Sequence, residues 1–112
     1  MKLFKPDGYE PKETCNGCGT GWSASIIPNT IYFLNIKECC CIHDYMYEAG
    51  STIEHKKEAD RVFLNNMLRI INDKEAWYFP HFLARYRAIE YYNAVVNFGG
   101  AAFWDNKPIV NT

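Results

Sequence analysis

No run of about 18 apolar residues, the length a membrane-spanning helix needs, occurs in the 112-residue chain. Surplus charge is missing as well. With a formal net charge of -1, there is no basic field to hold nucleic acid or to draw the chain onto an anionic membrane by charge alone. The N-terminal stretch MKLFKPDGYE lacks the apolar core of a signal peptide. The five cysteines cannot all pair within one chain, and the expectation is an unexported protein with reduced thiols. Strand-like alternation is confined to the neighbourhood of Ile31 to Leu34. Repeats and low-complexity tracts are absent.

What is abundant is apolar and aromatic surface, 48% and 16% of the residues. That is far more than a disordered chain carries, and it predicts one packed domain over residues 1–112. Pro6, Gly8 and Pro11 interrupt any period in the first 14 residues, and Cys15 to Gly21 read as a glycine-rich loop. From Ile36 the spacing turns helical, with Ile36, Cys39, Cys40, His43 and Tyr47 on one face of a helix that stops at Gly50. Ser51 to Glu54 has the form of a capping box that restarts the helix. A second helix is predicted from Ile53 to Asn72, its apolar face made of Ala59, Val62, Phe63, Ile70 and Ile71. A third is predicted from near Pro80 to just before Gly99, with Phe82, Leu83, Tyr86, Ile89, Asn93 and Val96 as its stripe. The predicted fold class is mainly α.

The stretch CCCIHDYMYEAG, residues 39–50, sets adjacent His43 and Asp44 on a helix. Neighbouring residues point about 100° apart, so the two serve different partners. A chain that reverses at residues 51 and 52 brings positions equally far from the turn to the same height, and His43 and Asp60 meet that condition. A buried carboxylate against an imidazole sets its tautomer and raises its basicity. Asp44 is then free to bind a hard cation, with carbonyl oxygens offered by the loop CNGCGTGW, where Gly17, Gly19 and Gly21 let the backbone converge. A general base beside a Lewis acid suits hydrolysis of an ester by water. His55 and His81 have no such neighbours and are expected at the surface.

These residues resemble the phospholipase A2 family, the secreted enzymes and their bacterial and viral relatives. Cys39-Cys40-Cys41-Ile42-His43-Asp44-Tyr45-Met46-Tyr47 matches the family motif CCxxHDxCY except at Met46. Cys18-Gly19-Thr20-Gly21-Trp22 matches the calcium-loop motif CGxGG except at its last glycine, and EADRVFLNN resembles the second family helix. The resemblance spans about residues 15–67. It implies two long antiparallel helices carrying the His/Asp site, an N-terminal calcium loop and a third, C-terminal helix. It implies calcium-dependent hydrolysis of the sn-2 ester of glycerophospholipids at a membrane or micelle surface. His43 would be the base, Asp60 its orienting partner and Tyr47 a hydrogen-bond donor to Asp60. Ca2+ would be held by Asp44 and by the carbonyls of Gly17, Gly19 and Gly21. A cytoplasmic or virion-associated setting fits the missing signal peptide better than classical secretion.

The departures carry further expectations. Met46 and Ala59 stand where the family has a cysteine pair, which implies an apolar contact in place of a bridge. Asn66 stands where the family pairs a cysteine with Cys39, and Cys18 with Cys40 is the one family pair retained. The stretch before the first helix is several residues longer than in the compact enzymes, and Gly17 replaces a common aromatic. Trp22, Trp77-Tyr78-Phe79 and Phe103-Trp104 are core residues or an apolar collar for a lipid surface. Two alternatives stand beside the hydrolase: a phospholipase-like lipid- or protein-binding module without activity, and a zinc-stabilised domain using the cysteines and His43.

Overall fold

The computed structural model describes residues 3–10, 30–31, 34–73 and 81–104. A short antiparallel hairpin, β1 (Thr30–Ile31) and β2 (Leu34–Asn35), pairs Ile31 with Leu34. Four helices follow: α1 (Lys37–Ala49), α2 (Ile53–Asn72), α3 (His81–Phe98) and the short α4 (Gly100–Trp104). The described part is mainly helical, with α1 and α2 packed as a hairpin and α3 against α2. None of the described helices is long and apolar enough to cross a membrane.

The predicted faces of the first two helices are the buried ones. Ile36, Cys39, Cys40, His43 and Tyr47 are buried, as are Ala59, Val62, Phe63, Ile70 and Ile71. Between the helices the capping box sits one residue later than the sequence suggests. Thr52, not Ser51, is the N-cap of α2: its Oγ1 accepts the His55 N–H at 3.2 Å, and His55 Nδ1 accepts the N–H of Thr52 at 3.3 Å and of Ser51 at 2.9 Å. A histidine thus does the work expected of Glu54, because its unprotonated ring nitrogen can accept a hydrogen bond in the place of a carboxylate oxygen. Thr52→Ala should lower stability by about 1 kcal/mol in a urea melt, the usual cost of losing a capping hydroxyl. Ser51→Ala should leave the midpoint close to that of the wild type.

Gly50 ends α1 in extended backbone, φ -77° and ψ 156°, and not in the left-handed conformation that often requires glycine. Space is what requires it here. A Cβ on Gly50 would lie 2.9 Å from both the Phe103 ring and His55 Cβ.

The third helix corrects the sequence reading. Its core side is Ala84, Ala88, Tyr91 and Val95, while Phe82, Leu83, Tyr86, Ile89, Asn93 and Val96 are all exposed. Both faces of α3 are apolar, so periodicity alone points to the bulkier one. The small one wins because alanines let the backbones of α3 and α2 approach closely.

The thiols also differ from expectation. Cys40 and Cys41 are disulfide-bonded, to partners outside the described residues. Reduced thiols, or a single bridge from Cys40, are therefore not what the structure has. Cys39 is free and buried, its thiol pushed up to about 12 chiefly by desolvation, with a smaller push from the Glu38 charge. It behaves as a small apolar side chain.

Candidate active site

Asp60, on the buried face of α2, is the hub of the site. Its Oδ1 lies 2.8 Å from His43 Nε2 and accepts the Tyr47 hydroxyl at 2.6 Å; both partners come from α1, one helical turn apart. Its Oδ2 accepts from Lys56 Nζ at 2.8 Å. The hairpin register expected from the turn at residues 51 and 52 is what brings His43 and Asp60 to the same level. Burial alone would raise the Asp60 carboxyl, but hydrogen bonds from His43, Lys56 and Tyr47 outweigh it and hold the group below the ordinary carboxylate range. Tyr47 is driven the other way, first by burial and then by its bond to Asp60, and stays a neutral donor. The His43 ring is gripped between Tyr47 and Phe63, with centroids 4.1 and 4.9 Å away.

In the neutral imidazole facing ionised Asp60, Nε2 carries the proton and Nδ1 the lone pair. Nδ1 makes no hydrogen bond among the described residues. Asp44 stands apart from this network, half-buried and in no ion pair among the described residues. Its carboxyl is pushed up to about 6, mainly by desolvation; Glu48 adds repulsion and His43 offsets part of it. A desolvated carboxylate lacking a counter-charge is a fitting donor for a hard cation. The carbonyls of Gly17, Gly19 and Gly21, which would complete such a site, lie outside the described residues, as do Trp22 and residues 77–79.

The zinc alternative loses two of its donors, because Cys40 and Cys41 are disulfide-bonded and not free thiolates. The apolar collar loses a member, because Phe103 is fully buried against Tyr47 and Trp104 is half-buried. Met46 packs on the same cluster as Ala59 and Phe103, which is the apolar contact expected in place of a bridge. Asn66 clamps the N-terminal arm instead of replacing a bridge: its Oδ1 accepts the Phe4 N–H at 2.8 Å and its Nδ2 donates to the Phe4 carbonyl at 3.0 Å.

Two participants are absent from the sequence reading. Lys56 is buried, and besides Asp60 its ammonium donates to the Val95 carbonyl at 3.2 Å and to that of Val96 at 3.5 Å, which ties the site to the last turn of α3. The signal was its place one turn before Asp60 on the apolar stripe of α2, where a solvated lysine does not belong. Gly99 is the other. A Cβ there would lie 2.5 Å from the Tyr47 hydroxyl, so only glycine leaves that hydroxyl room to reach Asp60. Comparison with protein-family models, curated proteins and solved structures gives no match.

Proposed function

We propose that the protein is a calcium-dependent hydrolase of the phospholipase A2 type, cleaving the sn-2 acyl ester of glycerophospholipids at a membrane or micelle surface. The observation that supports this reading is the buried Tyr47–Asp60–His43 network, which among the described residues leaves one imidazole nitrogen, Nδ1, without a hydrogen bond and the neighbouring Asp44 carboxylate without an ion pair. In the proposed reaction Nδ1 takes a proton from a water molecule as the water oxygen attacks the ester carbonyl carbon. Asp60 stabilises the imidazolium that forms and stays ionised throughout, because three donors hold it in that state. When the tetrahedral intermediate collapses, the imidazolium returns its proton to the departing glycerol oxygen, and a fatty acid and a lysophospholipid leave. Bound calcium would supply the positive charge that stabilises the anionic oxygens of the substrate.

The test is hydrolysis of mixed phosphatidylcholine micelles labelled in the sn-2 chain, in calcium and then in chelator. Release of the sn-2 label with calcium and its loss with chelator are expected, at calcium levels of about 10⁻⁴ to 10⁻³ M, as suits a single carboxylate ligand. Asp44→Asn should abolish the calcium-stimulated rate. Hydrolysis indifferent to chelator, or no release of label by the wild type, would overturn the proposal.

A further inference from the structure

The outward face of α3 is apolar along its length and nothing in the described fold covers it. Phe82 is 72% exposed, Tyr86 63%, Ile89 46% and Val96 42%, and Asn93 completes the row. These five positions follow one another at alternating steps of four and three. At 100° per residue they form a stripe centred about 150° from the side that packs on α2. That is the a/d spacing of a two-helix seam, with Phe82, Ile89 and Val96 at d and Tyr86 and Asn93 at a.

The polar residues decide which helix this seam accepts. Arg85 and Glu90 flank the stripe on opposite sides, five residues apart, at positions g and e. In a parallel pair of α3 helices from two copies, Arg85 of each copy meets Glu90 of the other, giving two ion pairs of opposite sign by symmetry. In the single chain Arg85 Nη2 donates to Asn72 Oδ1 on α2 at 2.8 Å, and its other guanidinium N–H groups are the ones left for Glu90 of the second copy. A parallel pair also sets Asn93 against its own copy, where the two amides satisfy each other. In either antiparallel register of this stripe the amide would face an apolar side chain, Phe82 or Ile89, leaving it without a partner.

We propose that the protein self-associates through α3 as a parallel, two-fold symmetric dimer, independently of the hydrolysis proposed above. A helix of 18 residues spans about 27 Å, so the contact lies at the small end of specific interfaces and a Kd of about 10⁻⁶ to 10⁻⁴ M is expected. All the residues involved are exposed in the single chain, so their substitution leaves the core intact, which far-ultraviolet circular dichroism would verify.

The test is sedimentation equilibrium of the full chain without lipid. The wild type should populate a dimer, and Ile89→Lys should weaken it by about a hundredfold as a central apolar anchor is lost. Arg85→Glu and Glu90→Arg should each weaken it about tenfold, and the double variant carrying both should regain the wild-type Kd. A wild type that stays monomeric throughout that concentration range overturns the proposal. So does an Ile89→Lys variant that dimerises normally but no longer binds phosphatidylcholine vesicles, which would assign the face to lipid. A double variant no tighter than either single one overturns the parallel register.

Discussion

His43→Gln is expected to cost at least about 10² in the rate of phospholipid hydrolysis while leaving the unfolding midpoint nearly unchanged. The separation of the two effects follows from the bonds of the ring. Nε2 bonds Asp60 and the ring packs between Tyr47 and Phe63, and the Gln amide keeps a donor for Asp60. What it loses is the Nδ1 lone pair, since an amide has no nitrogen basic enough to take a proton from water. Retention of more than about a tenth of the activity would remove His43 from the role of general base.

Asp60→Asn has a different signature, because the side-chain shape survives while the charge and one of the two acceptor oxygens do not. Lys56 would remain buried with its ammonium against the Val95 and Val96 carbonyls and no anion beside it. Breaking a buried ion pair from one side costs about 3 to 5 kcal/mol, so the variant should unfold at much lower urea and lose activity together with stability. Lys56→Met added to Asp60→Asn removes the stranded charge and should recover part of the loss, as a double-mutant cycle would measure. A single-variant cost below about 1 kcal/mol would mean that the pair contributes little.

The same carboxylate predicts the acid limb of stability. Its folded-state pKa lies below the unfolded value of about 3.9. Its contribution is therefore fully present above that value and is lost as pH falls through the lower, folded one. In Asp60→Asn this part of the acid destabilisation should vanish.

Much of this site is legible in the order of residues. A hairpin turn fixes helix register by simple counting, so His43 opposite Asp60, with Tyr47 one turn on, follows from the positions of the turn and the helical period. The buried faces of α1 and α2 are legible for the same reason: each helix has one apolar side, so burial has no choice. The cap of α2 is off by one residue because Ser51 and Thr52 are both good caps, and His55 as an acceptor rivals Glu54.

The two long helices, their antiparallel pairing and the meeting of His43, Tyr47 and Asp60 can be read from residue order, because these depend on local periodicity and a short connection. The buried face of α3, the contact of Lys56 with the Asp60 carboxylate and the room that Gly99 leaves for the Tyr47 hydroxyl emerge with long-range packing alone. Each of those depends on how closely two segments far apart in the chain approach. That distance is set by side-chain size at the contact, as with Ala84 and Ala88 against α2, and not by the pattern within either segment.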